Sequence, residues 1–454
     1  MPTTLRKELT LISATALVIA NMIGTGIFTT TGFLAGDLGR PSLVLGIWLV
    51  GAVMVAAGCL SYAELGINFP RSGGEYVYLR EGWGPAWGFM SGWVSFFAGF
   101  AAPVALSAMA FAEYFSSFFP SLRVSGGKGL AFAFLNLTPG HGLAVALIVT
   151  LAIVNVFGVA IAARLQSTLT TFMLGVLAVF LILAFTIGKG QWHNLTIETA
   201  RTSSHNLGAQ FAASLVFVMF AYSGWNAAAY VAEEMKDPDR TLPRALLGGA
   251  AIVALFYFAL NAAYVYALPL DSLKGVVAVG ATAAKALFGA RVGGMFIIVM
   301  ALALLGCVSA MSLVGPRVYY AMAQDGCFFK DAAKVHPRYQ TPVRAILYQA
   351  IASSVLVMSG TFESLITYVG FALVLSAALA AAGILRLRRR PEWKRLSAVS
   401  WAYPLVPLLF ILTSAWMLAY TLYLRPKPSL LGLLTVACGG LAYHWNVRKA
   451  SSQP

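Results

Sequence analysis

Residues 21–30 read Asn-Met-Ile-Gly-Thr-Gly-Ile-Phe-Thr-Thr and lie inside an apolar stretch long enough to cross a bilayer. Two glycines and three threonines interrupt that stretch within ten positions. A membrane helix satisfies its backbone N–H and C=O groups internally, because lipid offers them no partners. A Gly-x-Gly break at membrane depth is therefore tolerated where water, an ion or a substrate binds the freed groups. We interpret the rest of the chain as built around this first break.

The composition is that of a polytopic integral membrane protein. Of 454 residues, 59% are hydrophobic and 10% are charged, whereas about a quarter of the residues in soluble domains are charged. The net charge of +15 does not indicate a nucleic-acid partner, because Lys and Arg fall mainly in alternate loops. The four cysteines show no metal-ligand spacing and are interpreted as packing residues: Cys59, Cys307, Cys327 and Cys438.

Twelve apolar runs are long enough to be membrane spans. They cover approximately residues 10–35, 42–69, 84–119, 141–160, 165–188, 208–233, 244–269, 292–323, 343–360, 363–386, 401–424 and 429–447. The segments on the same side of the membrane as the N-terminus carry 21 Lys and Arg residues in total, whereas the segments on the opposite side carry 10. The positive-inside rule therefore predicts a multi-pass protein of the cytoplasmic membrane with both termini in the cytoplasm.

A second break lies in the sixth predicted span, where residues 220–226 read Phe-Ala-Tyr-Ser-Gly-Trp-Asn. It heads that span as the first break heads the first span. Matching breaks about 200 residues apart indicate two structural repeats that face each other across a central site. Because each repeat has an odd number of spans, five, the copies have inverted topology. We predict repeats over residues 1–190 and 205–390 and two added helices over 398–448, in one transport domain.

Four polar segments leave two interpretations open. The loop Phe69–Tyr78 is either a short interfacial or re-entrant element or an ordered cytoplasmic loop. Charged residues in 233–243 and 315–326 form gating salt bridges or merely anchor helix ends. The basic cluster 386–395 is interpreted as a topology anchor, with an anionic-lipid site as the alternative. Glu64 and Glu113 lie towards span ends and are interpreted as structural.

Four motifs, spread in order over residues 10–390, resemble the amino acid-polyamine-organocation superfamily, and most closely its L-type amino acid transporter branch. They are the break Gly24-Thr-Gly-Ile-Phe28, the loop Phe69–Tyr78, the segment Phe220–Pro243, and the segment from Arg317 to Pro342. The resemblance implies an all-α fold of twelve helices. Broken helices 1 and 6 belong to a leucine-transporter-like five-plus-five inverted repeat, followed by two C-terminal helices.

The resemblance also assigns roles in substrate binding. Backbone N–H groups of Gly24, Thr25 and Gly26 hold the substrate carboxylate at a half-helix N-terminus, where the helix dipole favours an anion. Carbonyls of Ile23, Phe220 and Ser223 take the ammonium. Phe220 matches the position of an aromatic gate, although from its residue type alone it is ordinary core. Together with Ala221 and Gly224, these residues complete the predicted site.

Ion coupling is less well supported by the sequence. Alignment with the family pattern places Met173 where many members carry a lysine linked to coupling, so proton coupling through that position is in doubt. A sodium site between first-span carbonyls and the hydroxyls of Ser309 and Ser312 is the alternative; hydroxyls in membrane helices more often bond their own backbone or a neighbouring helix. No metal site and no cofactor are expected.

The sequence therefore predicts a permease and not an enzyme, because no nucleophile–base pair, phosphate-binding loop or metal spacing occurs in it. We expect transport of neutral L-amino acids, since neither break contains a carboxylate that would bind a cationic side chain. Exchange (antiport) or facilitated diffusion is the expected mode. Proton- or sodium-coupled symport, and a sensor or partner subunit with a transporter fold, are the alternatives. The partners expected are an amino acid and the lipid bilayer, with no nucleic acid; a dimer or accessory subunit is left open.

Overall fold

A computed structural model describes residues 9–71, 73–124, 130–132, 135–157, 159–324, 326, 328–336, 339 and 341–451. The described chain is helical apart from one short hairpin, β1 (Leu130–Phe132) with β2 (Leu135–Leu137). The α-helices are α1 Leu11–Met22, α2 Thr25–Leu38, α3 Pro41–Asn68, α4 Glu75–Trp83, α5 Pro85–Val94, α6 Ala102–Phe115, α7 Pro139–Phe157, α8 Val159–Thr186, α9 Leu207–Ala221, α10 Pro238–Ala267, α11 Leu270–Leu273, α12 Val279–Gln324, α13 Val343–Ser359, α14 Phe362–Leu387, α15 Ser397–Trp401, α16 Leu405–Leu424 and α17 Pro426–Ser451. Short 3₁₀ segments cover Pro120–Leu122, Trp192–Leu195, Ala227–Glu234 and Lys330–Ala333.

Helices lie at the positions of the twelve predicted apolar runs. Among the described residues, seven helical segments are long and apolar enough to cross a membrane, and α1 with α2 forms an eighth when that bent pair is counted as one span. The chain is thus an all-helical, multi-pass membrane protein. The full count of twelve spans stays a prediction.

The third predicted span contains a feature that its apolar pattern does not indicate. A π-helix over Ser95–Ala101 joins α5 to α6. It ends just before Pro103, which lies in the first turn of α6. Proline has no N–H to donate and its ring clashes with the carbonyl of the preceding turn, so a wider turn accommodates it.

The two predicted breaks are real interruptions of helices. Between α1 and α2 the chain is extended at Ile23 and Gly24, and the two helix axes differ in direction by 44°. The sixth predicted span divides into α9, a turn over residues 222–226, and the 3₁₀ segment Ala227–Glu234. Each break lies between helices that carry no charged residue near it, as residues 10–36 and 206–232 contain none.

The loop Phe69–Tyr78 ends in a helix, α4, which packs against α5 and α14. The turn over Gly73 and Gly74 brings the start of α4 under the second break, where the Tyr230 ring lies against Gly74. The Gly73 N–H donates to the Tyr230 carbonyl at 3.3 Å. The bundle core lies between α3, α10 and α1 on one side and α6 and α12 on the other, so both breaks are enclosed by neighbouring helices.

Candidate functional site

The two breaks pack directly against each other. A Cβ atom on Gly26 would lie 2.4 Å from Ala221 Cα, so the start of α2 and the end of α9 touch through their backbones. A Cβ atom on Gly224 would lie 2.5 Å from the Asn21 carbonyl oxygen, and φ is +93° at that glycine. The contact is reciprocal, since Gly26 at the first break meets the end of α9 and Gly224 at the second break meets the end of α1. Glycine is required at both positions because no side chain fits between the chains.

Tyr257 on α10 connects the helix ends at the two breaks. Its hydroxyl oxygen lies 2.5 Å from the Met22 carbonyl oxygen and 3.0 Å from that of Ala221. The Gly24 backbone also interacts with this hydroxyl. A hydroxyl has one proton and donates to one carbonyl at a time, so Tyr257 holds the C-terminal ends of α1 and α9 side by side. Those ends carry the negative pole of each helix dipole.

The N-terminus of α2 presents backbone N–H groups at the first break. Gly24 is the N-cap residue and provides no side chain to satisfy them, and the first N–H groups of a helix have no partner within the helix. Thr25 turns its hydroxyl away from them, to Ser107 on α6 at 2.5 Å between oxygens. The Thr30 hydroxyl donates to the Gly26 carbonyl. Positive and negative helix poles therefore meet at one buried place.

The structure brings the eight predicted binding residues together at the breaks. Ile23, Thr25, Gly26, Phe220 and Ala221 are buried. The remaining three, Gly24, Ser223 and Gly224, are partly accessible. The Phe220 carbonyl accepts from the Ser223 N–H at 3.0 Å, and a carbonyl has a second lone pair for another donor.

The coupling candidates are spread over other places in the bundle. None of them is the α12 residue found beside the first break, which is Cys307: its Sγ atom lies 3.9 Å from the position that a Cβ atom on Gly24 would take. Ser309 is buried, and Ser312 lines a small cavity with Gln349 and Ser353 of α13. Met173 lies on α8, but its side chain is outside the part of the chain that the structure describes.

Two buried ion pairs lie away from the breaks. On one side Arg425 pairs with Asp37 at 2.7 Å. On the other, Arg388 pairs with Glu64 at 2.9 Å, and Trp393 donates to the same carboxylate. Glu64 is thus structural, as the sequence analysis expected. Arg388, interpreted there as part of a topology anchor, is buried in this ion pair. Among the described residues, no three His, Cys, Asp or Glu side chains group as metal ligands.

Several residues at the site have no signal in the sequence. In the sequence they look like ordinary members of apolar helices: Tyr257, Ser107 and Cys307. Each lies more than 80 positions along the chain from the residue that it contacts at the first break. A hydroxyl within an apolar run was the one available hint for Tyr257 and Ser107. It does not indicate a partner.

Comparison with known proteins places these features in a family. The model of the amino acid permease family matches residues 9–438. The serine/threonine exchanger SteT of Bacillus subtilis is 30% identical over 98% of both chains. The large neutral amino acids transporter small subunit 2 of Mus musculus is 31% identical, over 98% of this chain and 81% of that protein. The Asc-type amino acid transporter 1 of Mus musculus is 30% identical, over 96% of this chain and 80% of that protein.

Proposed function

Since the chain belongs to the amino acid permease family, we propose that it moves neutral L-amino acids across the cytoplasmic membrane by alternating access, as an exchanger or facilitated carrier. The proposal rests on the direct contact between the two breaks. It places the N-terminal backbone N–H groups of α2, which no side chain caps, beside the carbonyl ends of α1 and α9. An α-amino acid carries an anion and a cation one carbon apart, and this arrangement offers complementary groups for both.

In the proposed complex the carboxylate binds the N–H groups of Gly24, Thr25 and Gly26. The ammonium binds the carbonyls of Ile23, Phe220 and Ser223. Backbone groups recognise what every amino acid shares, so side-chain preference depends on the surrounding residues. The absence of charged residues from both breaks favours neutral side chains, since a charged side chain needs a partner in a water-poor site.

We propose the same five-plus-five inverted repeat that the breaks predict, over residues 1–190 and 205–390. Helices at equivalent positions of the two repeats pack on each other, namely α3 on α10, α6 on α12 and α7 on α13. The reciprocal contacts of Gly26 and Gly224 are what a two-fold relation between the halves would produce. Phe220 is the proposed gate over the substrate, and its buried ring fits a closed conformation.

An exchange assay tests the proposal. Purified protein in liposomes is given labelled serine, threonine, leucine, arginine and glutamate, and the vesicles are either empty or preloaded with unlabelled amino acid. Each condition is repeated with sodium and pH gradients. We expect uptake of the neutral amino acids into preloaded vesicles. Imposed sodium or pH gradients are not expected to drive uptake into empty vesicles, since Met173 stands where the family pattern has a coupling lysine.

Three outcomes contradict parts of the proposal. Uptake into empty vesicles that follows a proton or sodium gradient would make the protein a coupled symporter. Arginine or glutamate taken up in preference to serine would refute a neutral site. Amino acids that raise the melting temperature without being taken up would indicate a sensor or a chain that needs a partner subunit.

A further inference from the structure

Glu75 is a buried carboxylate that lies outside the proposed substrate site. Its residue is 6% exposed and stands at the first position of α4, below the second break. The Tyr62 hydroxyl of α3 donates to Glu75 Oε1 at 2.9 Å, and the Asn226 amide donates to the same oxygen at 2.9 Å. Both donors are neutral. A buried carboxylate usually pairs with a cation, and none does so here among the described residues.

The groups that face Glu75 are all uncharged at neutral pH. They are Tyr62 from α3, Asn226 and Tyr230 from the second break, and Tyr78 from its own helix. From α14, Arg386 donates to the Gly82 carbonyl and Arg390 pairs with Glu81. On α4 itself, Arg80 pairs with Glu81. Arg386 and Arg390 thus reach the far end of α4, about 10 Å along the helix from Glu75. The Arg80 guanidinium lies 5.6 Å from the centroid of the neighbouring Tyr76 ring, and no ion pair joins it to Glu75 among the described residues.

Burial raises the pKa of the Glu75 carboxyl to about 7, while the hydrogen bonds from Tyr62 and Asn226 act to lower that pKa. The Tyr230 ring beside Gly74 is more than a third exposed, so the surroundings of Glu75 reach the surface.

Asn226 links this carboxylate to the substrate site. It belongs to the turn that contains Gly224, which touches Asn21 at the end of α1. On one side of the bundle the turn is therefore held by α1 and on the other by Glu75. Opening of the break towards this face would separate Asn226 and Tyr230 from α4 and hydrate the carboxylate.

We propose that Glu75 is a proton-binding site whose occupancy controls opening of the second break towards the face that the charge distribution predicts to be cytoplasmic. The proton is favoured while Glu75 is buried in the closed conformation and is released when opening hydrates the group. Acid therefore stabilises the closed conformation and alkali favours opening. The proposal rests on the proposed transport function, since opening towards this face is a step of that cycle.

The sign follows from linkage between protonation and conformation. In the closed conformation the carboxyl titrates near pH 7, whereas in the open one it regains an ordinary value near 4. Between these values the closed conformation binds more protons, so it gains stability as the pH falls. Going from pH 8 to pH 6 shifts the closed-to-open ratio by about tenfold for this single group.

Exchange in preloaded liposomes, at equal pH inside and outside, tests the proposal. We expect wild-type exchange to slow up to about tenfold between pH 8 and pH 6. Glu75→Gln keeps acceptor and shape but cannot ionise, and it should exchange at the low-pH rate throughout this range. Tyr62→Phe loses one donor to the carboxylate, so its profile should move to higher pH. Glu81→Gln, on the same helix but ion-paired and partly exposed, should keep the wild-type profile.

An infrared titration provides a readout that does not need transport. The band of a protonated carboxyl, taken as wild type minus Glu75→Gln, should disappear with a midpoint near pH 7. A midpoint near pH 4, or no such band, would overturn the proton site. A band that titrates as expected, with identical exchange profiles for wild type and Glu75→Gln, would overturn the link to opening. Wild-type protein without exchange at any pH would instead refute the transport function, while the infrared midpoint would still decide the proton site.

Discussion

At Gly26 the requirement for glycine comes from a neighbouring helix. The residue lies in the first turn of α2, where alanine would be compatible with the helix itself. The space for a Cβ atom is occupied by the Ala221 backbone, 2.4 Å away. Any side chain must therefore push α2 away from α9. The amides of α2 and the carbonyl ends of α1 and α9 would then no longer match one amino acid.

Gly26→Ala is expected to reduce exchange by about 100-fold, because a displacement of about 1 Å at a binding site can cost that much. Gly26→Val should abolish binding while the bundle stays folded. The matched control is Gly248→Ala in α10, where a new Cβ atom meets nothing within 4 Å. Radiolabelled exchange and substrate affinity are the measurements. Equal activity of the two alanine variants would remove the first break from the site.

Phe220 distinguishes a gate from a core residue. Truncation of a core phenylalanine costs about 3–5 kcal/mol of stability. The ring of a gate packs mainly on the bound substrate, so its truncation should cost the substrate-free protein much less stability. Phe220→Ala is therefore expected to keep a near wild-type melting temperature and to transport slowly or leak substrate. A large fall in melting temperature together with normal exchange kinetics in the surviving protein would assign the ring to the core.

At the scale of elements, α10 couples the two broken helices through one hydroxyl. We expect Tyr257→Phe to weaken amino acid binding about fivefold to tenfold, because a buried hydrogen bond contributes about 1 kcal/mol. Tyr264→Phe is the matched control on the same buried helix, since no described residue is bonded to the Tyr264 hydroxyl. Binding isotherms for both variants make the comparison. Equal affinities would show that Tyr257 does not set the distance between the helix ends.

A second connection between elements ties the outer ends of the broken helices to the C-terminal helices. Arg425, between α16 and α17, pairs with Asp37 at the end of α2 and lies 4.6 Å above the Phe217 ring of α9. The Ser214 hydroxyl of α9 also donates to Asp37. Through Arg425, the last two helices are thus tied to both α2 and α9.

Arg425→Gln is expected to lower the free energy of unfolding by about 3 kcal/mol, because it leaves the Asp37 charge buried without its partner. Asp37→Asn in the same chain should restore part of this loss. Arg40→Gln removes an exposed ion pair with Glu198 and should cost less than about 1 kcal/mol. Thermal unfolding in detergent measures all three. Similar melting temperatures for Arg425→Gln and Arg40→Gln would show that the Arg425–Asp37 pair does not stabilise the bundle more than an exposed ion pair does.

For the whole molecule, the distribution of charge predicts the orientation in the membrane. Lys and Arg number 21 on the predicted inner side and 10 on the outer side. Tags at the two termini should therefore both be protected in intact cells and both be labelled after permeabilisation. A cysteine replacing Arg123, in the second predicted outer segment, should react with an impermeant reagent in intact cells. Termini on opposite sides would require an odd number of spans.

Much of the architecture follows from local sequence. The apolar runs place the helices, because lipid forces each spanning backbone to bond with itself. The Gly-Thr-Gly and Ser-Gly breaks are visible as polar interruptions of those runs, and the structure interrupts helices at both. Apolar patterns do not predict the π-helix before Pro103 or the residue at which each helix ends. They depend on how neighbouring turns share hydrogen bonds.

The sequence by itself thus determined the membrane class, the two breaks and the residues that flank them. Only the tertiary structure decided which groups meet there. Thr25 bonds Ser107, Glu75 bonds Asn226 and Asp37 bonds Arg425, across 82, 151 and 388 positions of the chain. Hydropathy and glycine spacing describe how a residue suits its own helix. Contacts at such separations depend on how all the helices pack, because each helix is positioned by several neighbours at once.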